Sequence, residues 1–126
     1  MYATRHSAGL DLIASEEKTI APHGRVLVNT DYVVDNDLWK DNHYVGLVCP
    51  RSGMALKHGI TVLNAPGIID ADYEGDVGVI LYNTSDEEYY VGVGDKIAQL
   101  VVTNYEHVAK VAGRTRGSGG FGSTDR

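Results

Sequence analysis

The stretch from Asn64 to Tyr73 places several side chains that can bind a small molecule next to a tight turn. Residues 65–68, Ala-Pro-Gly-Ile, favour a type II turn, because proline presets φ at the second position and glycine tolerates a positive φ at the third. Two carboxylates, Asp70 and Asp72, follow closely, and an apolar strand comes after them. A hairpin with acids and an aromatic ring at its mouth is typical of a ligand pocket, although an acidic surface turn has the same composition.

A second group of candidate residues lies in the glycine-rich segment near the carboxyl end. Residues 117–122 match G-x-G-x-x-G, but no strand–helix unit follows and Gly-Lys-Ser/Thr is absent, so neither a dinucleotide fold nor a P-loop is predicted. Its glycines can still bring backbone N–H groups close to phosphates. Arg116, Ser123 and Thr124 add donors, and the ring of Phe121 can stack on a base. A disordered Gly/Ser tail is the alternative interpretation.

Three further positions carry polar groups where an anion or a metal can bind. Arg51 and Ser52 stand at the predicted start of a helix, whose free N–H groups attract anions, although Ser52 also suits a plain N-cap. Asp11 and Gln99 each interrupt an apolar strand. A buried Gln99 needs hydrogen-bond partners, and Asp11 needs a metal-bound water or an arginine unless it faces solvent.

Composition limits the classes of function. A chain of 126 residues with 43% hydrophobic residues is expected to form one domain with its own core. A net charge of −6 argues against a general nucleic-acid or membrane-surface binder, which needs a basic face. Neither a signal-like apolar segment nor a run long enough to cross a bilayer is present, so an intracellular, cytoplasmic protein is expected.

Cysteine and histidine usage gives little sign of a metal centre. The single cysteine, Cys49, excludes an internal disulfide and is expected to be a small buried residue. The five histidines are scattered and form no H-x-x-x-H pair or Cys/His cluster, which argues against a zinc site.

The elements that must position these residues are mostly short strands. Alternating apolar patterns separated by turn residues are typical of an all-β sandwich or barrel. One short helix is predicted at residues 51–59, with Ser52 as its N-cap and Gly59 at its end, and residues 35–42 are predicted to form a loop. The predicted strands cover residues 10–14, 18–21, 25–30, 32–34, 44–49, 77–83, 89–93, 96–103 and 106–112. Residues 1–112 form the predicted β-rich domain, and residues 113–126 a flexible glycine-rich arm.

Taken together and in order, these pieces resemble the five motifs of the homotrimeric dUTPase family. The matching segments are residues 8–12, 50–55, 64–75, 94–100 and 116–124, which span nearly the whole sequence. The resemblance implies a β-rich jelly roll or distorted β-barrel with one short helix, assembled as a homotrimer whose C-terminal arm closes over a neighbouring active site. It also implies hydrolysis of dUTP to dUMP and pyrophosphate, which limits uracil in DNA and supplies dUMP for dTMP synthesis.

The same resemblance implies a role for each residue. Asp70 resembles the base that orients and deprotonates the water attacking the α-phosphorus. Tyr73 resembles the ring that packs on deoxyribose and excludes a 2′-hydroxyl, while Asn64 and the turn backbone through Ile69 resemble the reader of uracil. Asp11 resembles the residue that holds Mg²⁺ through water, the metal itself being bound mainly by the substrate phosphates. The implied substrate-binding residues are Arg51, Ser52, Gly53, Asn64, Gly67, Ile69, Tyr73, Gln99, Arg116, Phe121, Gly122, Ser123 and Thr124.

Two positions depart from the family pattern. Glu74 stands where an arginine usually follows the tyrosine, and Asp125 replaces a glycine and adds a negative charge near the phosphate clamp. We expect Asp125 to slow closure of the arm, with Arg114 and Arg126 as offsetting charges. Asp72 is interpreted as shaping the turn, or as sharing the work of Asp70.

Three other functions compete with the main reading. A deaminase of the dCTP type shares the fold but needs a glutamate-based site, where this sequence offers Asp70 and Tyr73. A regulatory protein of the same fold, whose nucleotide-bound state controls an unidentified protein partner, is compatible with catalysis. A structural β-sandwich without a site leaves the tail and the strand acids unexplained.

Overall fold

The computed structural model describes residues 1–108 and consists mainly of short β-strands. In that part of the chain the strands do not close into a barrel, and two short helices are present where one was predicted. The strands are β1 (Leu10–Ile13), β2 (Lys18–Ile20), β3 (Arg25–Val33), β4 (Tyr44–Cys49), β5 (Ile60–Val62), β6 (Gly67–Ile69), β7 (Asp76–Asn83), β8 (Tyr89–Val91) and β9 (Lys96–Asn104). The helices are α1 (Asn36–Asn42), between β3 and β4, and α2 (Ser52–His58), between β4 and β5.

The strands form three small antiparallel sheets. One sheet has the order β1-β9-β4-β6, a second has β3-β7-β5, and the pair β2-β8 forms the third. Most neighbours in these sheets are distant in sequence, as expected for a jelly-roll arrangement. Positions that are far apart along the chain are therefore brought together by register rather than by local turns.

Alternation along the strands explains the core. In β7, Val77, Val79 and Leu81 are buried while the residues between them are more exposed, as the period of two in a strand requires. The buried side chains of the other sheets pack against this strand in one apolar cluster, which includes Leu12, Ile20, Val28, Val48, Ile60, Val91, Ile97 and Leu100. The core is the rigid support on which the polar segments of the site are carried.

The helix α1 corrects the prediction of a loop at residues 35–42. Asp35 caps it by accepting a hydrogen bond from the Leu38 N–H at 3.1 Å, and the chain leaves it through His43 in the left-handed conformation. Trp39 is the buried anchor of the helix, and a Cβ at Gly46 would lie only 2.7 Å from its ring. Seven residues make two turns, which is too short a segment for helical periodicity to stand out in the sequence.

Other predicted elements fit with smaller changes. The strand predicted at residues 44–49 is confirmed at its full length, while the two strands predicted within residues 25–34 are one continuous strand. The strand predicted at residues 106–112 is wrong for residues 106–108, which are irregular, and its remaining residues lie outside the described part. Among residues 1–108, neither helix has the length and apolar character needed to cross a membrane.

Candidate active site

The turn predicted at residues 65–68 differs from the structure in three ways. The Ala65–Pro66 peptide bond is cis and Gly67 does not have a positive φ, so the type II assignment is wrong. The two flanking strands also do not pair with each other, because β5 pairs with β7 and β6 pairs with β4. The segment is therefore a crossing between two sheets rather than a hairpin.

A small cavity of about 170 Å³ opens where this turn crosses between the sheets. We call it the turn cavity, and it brings together Asn64, Gly67, Ile69 and Tyr73 as the sequence predicts. Glycine suits position 67, because the Cβ of a larger residue would come within 3.3 Å of the Asn64 side-chain nitrogen and 3.4 Å of Val48. The remaining walls come from β3, β4, β5, β6 and β7, with Leu27, Asn29, Val48, Val62, Ile68, Gly78, Val79 and Ile80.

Asp70 lies directly after β6 and is exposed to solvent. Its backbone carbonyl accepts a hydrogen bond from the Tyr73 N–H at 3.1 Å, and the Tyr73 hydroxyl donates to the Asp76 carbonyl at 3.2 Å. In the described residues the Asp70 carboxylate makes no hydrogen bond or ion pair. It is therefore free to accept a proton from a bound water.

The outer face of the sheet β1-β9-β4 carries the second group of predicted residues. Asp11 lies opposite Gln99 across β1 and β9, and Gln99 lies opposite Cys49 across β9 and β4, so the three share one face. Gln99 donates to the Pro50 carbonyl at 3.0 Å, which supplies the partner that a half-buried amide needs. A Cβ at Gly9 would overlap the Gln99 side-chain oxygen, so a larger residue there would force the Gln99 side chain to move.

Two cations border this face. The partner of Asp11 is Lys96, with Nζ at 3.6 Å from the carboxylate, where the sequence suggested a metal-bound water or an arginine. The Arg51 guanidinium donates to the backbone carbonyl of Lys96 at 3.3 Å. Sequence reasoning missed Lys96, because its place beside Asp11 depends on the pairing of β1 with β9.

A cavity of about 470 Å³ lies over these residues, and we call it the sheet-face cavity. Asp11, Arg51, Ser52 and Gln99 all line it, so the structure brings together four of the residues assigned to phosphates and metal. Cys49 also lines it and is half-buried, which corrects its prediction as a core residue. Its remaining walls are Ala3, Ser7, Ala8, Gly9 and Val101.

The start of α2 differs from its prediction in one detail. Arg51 is the N-cap, and Ser52 is the first helical residue with no capping hydrogen bond from a side chain. The end of the helix at Gly59 is in the left-handed conformation, as predicted. A Cβ at Gly53 would meet nothing within 4 Å, so the described packing leaves room for a larger residue there.

Burial raises the pKa of one tyrosine, Tyr89, near the sheet-face residues. Loss of solvent raises the pKa of the Tyr89 hydroxyl, the Asp95 carboxylate raises it further, and the charge of Arg51 opposes them. Tyr89 therefore stays neutral at physiological pH. Among residues 1–108, the charged side chains that line the sheet-face cavity are Asp11 and Arg51, and Lys96 pairs with Asp11.

The turn cavity and the sheet-face cavity have no lining residue in common. Asp70 lines a third cavity of about 540 Å³, which shares Ile68 with the turn cavity. The predicted site is thus divided into two parts within one chain. The arm residues assigned to the substrate, Arg116, Phe121, Gly122, Ser123 and Thr124, lie outside the described residues.

The residues around the sheet-face cavity are compatible with a weakly held Mg²⁺ ion. Among residues 1–108, no three His, Cys, Asp or Glu side chains converge into a preformed metal site. Asp11 contributes a single carboxylate to a polar cavity. Mg²⁺ commonly keeps several waters and uses one or two carboxylates together with substrate phosphates, so this donor set suits it.

Asn36 is a further residue that sequence reasoning missed. Its side-chain amide donates to the carbonyls of Ala71 at 2.7 Å and Tyr73 at 2.9 Å, and so joins α1 to the segment that carries Asp70. The only local signal is its position just after the capping Asp35.

Sequence comparisons relate this chain to one enzyme family. The dUTPase family model matches residues 1–125. The deoxyuridine 5'-triphosphate nucleotidohydrolases of Rickettsia massiliae and Rickettsia felis are each 43% identical over 130 residues, covering 98% of this chain and 85% of the relative.

Solved structures show the same fold. The dUTPase of Streptococcus mutans superposes with a TM-score of 0.75 at 26% identity, covering 87% of this chain and 88% of the other. The dUTPase of phage phi11 of S. aureus gives a TM-score of 0.74 at 22% identity, covering 93% and 90% of the two chains. With the family match over almost the whole sequence and close relatives of one function, this chain belongs to the dUTPase family.

Proposed function

We propose that this protein hydrolyses dUTP to dUMP and pyrophosphate, with water attacking the α-phosphorus. The observation that carries the proposal is the turn cavity, which has Asn64 and Tyr73 on its walls and shares Ile68 with the cavity that Asp70 lines. A cavity of about 150 Å³ holds benzene, so a cavity of about 170 Å³ has room for one pyrimidine ring. Family membership supplies the substrate class.

Each group near the turn has a role in this reaction. The amide of Asn64 and the backbone around Gly67 offer donors and acceptors for the uracil edge. The Tyr73 ring, held by its hydrogen bond to the Asp76 carbonyl, packs on the deoxyribose and leaves no space for a 2′-hydroxyl. Asp70 orients the attacking water and takes its proton.

The sheet-face residues bind the triphosphate. Arg51 presents a guanidinium that can pair with two phosphate oxygens, and Ser52 and Gln99 add neutral donors. Asp11 would hold Mg²⁺ through water, and the bound ion would neutralise phosphate charge. The dUTPase of phage phi11 of S. aureus is described with a structural Mg(II) ion, which is consistent with a metal in this fold.

We further propose that the active site is assembled in a homotrimer. The separation of the turn cavity from the sheet-face cavity supports this, because a neighbouring subunit can bring one next to the other. Residues 113–126 then act as an arm over a neighbour's site, with Phe121 on uracil. Arg116, Gly122, Ser123 and Thr124 hold the phosphates, and closure of the arm excludes water.

A substitution at Gly53 is expected to affect substrate binding without reducing the stability of the fold. The Gly53→Ala variant is expected to keep or slightly raise its Tm, because nothing described contacts the added Cβ and alanine favours a helix. If phosphates approach this backbone, kcat/KM for dUTP should fall about tenfold. Thermal unfolding and steady-state kinetics check both expectations, and unchanged kinetics would remove Gly53 from the binding set.

The proposed reaction is tested with a substrate panel. Pyrophosphate release is measured from dUTP, dTTP, dCTP and UTP in the presence of Mg²⁺. We expect turnover of dUTP only. The turn cavity has no room for the extra methyl of thymine, and Tyr73 rejects ribose. The Asn64 amide and the turn backbone match the hydrogen-bonding edge of uracil and not that of cytosine. Ammonia release from dCTP would assign the protein to deamination instead.

A further inference from the structure

One side-chain amide connects the first helix to the segment that carries the catalytic carboxylate. The Asn36 Nδ2 atom donates to the Ala71 carbonyl at 2.7 Å and to the Tyr73 carbonyl at 2.9 Å. Both N–H groups of this amide are therefore used on a single short segment, 35 and 37 residues further along the chain. We call residues 70–73 the acidic loop.

The acidic loop has few other connections to the body of the protein. Its own hydrogen bonds, from the Tyr73 N–H to the Asp70 carbonyl and from the Tyr73 hydroxyl to the Asp76 carbonyl, are local. Asp70, Asp72 and Tyr73 are exposed, and only the small side chain of Ala71 reaches the core. A tie from outside the loop therefore has a large influence on where its side chains point.

The helix that provides this tie is itself firmly placed. Asp35 caps its first turn through the Leu38 N–H, and Trp39 is 2% exposed and packs over Gly46 of β4. Strand β4 pairs with β6, which leads directly into the acidic loop. The acidic loop is therefore attached to the same sheet in two ways: through β6, and through the Asn36 amide on α1.

We propose that Asn36 is a positioning residue for the reaction, which holds Asp70 and Tyr73 in their working places through the backbone of the acidic loop. The inference rests on the proposed dUTP hydrolysis. If it holds, a looser acidic loop lowers both the rate of dUTP hydrolysis and the preference for dUTP over UTP. The water loses its aligned base, and the ring that rejects a 2′-hydroxyl loses its fixed position.

The test compares Asn36→Ala with Asn42→Ala. Asn42 is a matched control, because its amide lies at the other end of the same helix and donates to the Leu38 carbonyl at 2.8 Å without touching the acidic loop. Measurements are kcat and KM for dUTP, the ratio of kcat/KM for dUTP to that for UTP, thermal unfolding, and hydrogen exchange of the backbone amides in residues 70–76.

We expect Asn36→Ala to lower kcat/KM for dUTP about ten- to hundredfold and to reduce the preference for dUTP over UTP several-fold. Amides of residues 70–76 should exchange faster in that variant, whereas Asn42→Ala should match wild type in selectivity and loop exchange. A purely structural role would lower the folded fraction without changing the ratio of kcat/KM for dUTP to kcat/KM for UTP.

Two results would overturn the inference. The first is that Asn36→Ala keeps the wild-type preference for dUTP over UTP and the wild-type rate of hydrogen exchange in residues 70–76. The second is an equal change in both variants, because the control does not contact the loop. If wild type itself fails to hydrolyse dUTP, the proposed function fails separately, and loop exchange alone then decides whether Asn36 holds the loop.

Discussion

The Asp70→Asn variant is expected to lower kcat for dUTP by about 10²–10⁴-fold, the usual contribution of a general base. An amide cannot accept the proton of the attacking water, although it keeps the shape of the side chain. Asp70 is exposed, and its side chain makes no hydrogen bond or ion pair with residues 1–108, so stability should change little. Steady-state kinetics, dUTP binding by calorimetry and thermal unfolding measure the three quantities.

Asp72→Asn is the matched control for this variant. Asp72 is an exposed carboxylate two residues away, and it lines the same 540 Å³ cavity as Asp70. If Asp72 only shapes the turn, its variant keeps most of the activity. Equal losses in both variants would mean that the two acids share the proton transfer, and full activity in Asp70→Asn would exclude Asp70 as the base.

A mixture of two inactive variants is expected to regain activity. Arg51→Ala should lose most turnover, because it removes the guanidinium from the sheet-face cavity. Asp70→Asn instead loses a carboxylate from the third cavity, which shares Ile68 with the turn cavity. If each site combines the two parts from neighbouring subunits, co-refolding at equal amounts gives about one intact site in four.

The measurement is the rate of dUTP turnover after co-refolding, compared with each variant refolded alone and with wild type. A recovery near one quarter of the wild-type rate supports sites shared between subunits. Activity equal to the average of the two separate variants would show that a single subunit holds the whole site, and the trimer proposal would be wrong.

Much of the fold was predictable, because strands leave a strong local pattern. The alternation in β7 and the stop at Pro50 after β4 follow from burial on one face and from the lack of an N–H on proline. The helix α1 was missed, because two turns with a single buried residue, Trp39, produce no clear period. The N-cap Asp35 was the only usable sign.

The arrangement of the proposed site residues was only partly predictable from the sequence. Asn64, Gly67, Ile69 and Tyr73 meet in one cavity largely because they are close in sequence. In contrast, the crossing of the turn between two sheets depends on pairing with β4 and β7, which are far away along the chain.

Contacts made by long-range register were not predictable from composition or spacing. Lys96 meets Asp11 only because β1 pairs with β9. Asn36 reaches the acidic loop only because α1 packs beside it, and its amide resembles any surface asparagine in the sequence. Such residues become visible once hydrogen-bond partners are assigned in three dimensions.

The most direct test of dUTP hydrolysis at the α-phosphorus uses wild-type protein, dUTP and Mg²⁺ in water enriched in ¹⁸O. The products are separated, and their masses are measured by mass spectrometry. Attack on the α-phosphorus by a water held at Asp70 places one ¹⁸O in dUMP and none in pyrophosphate. Label in pyrophosphate, release of inorganic phosphate, or no turnover of dUTP would contradict the proposed reaction.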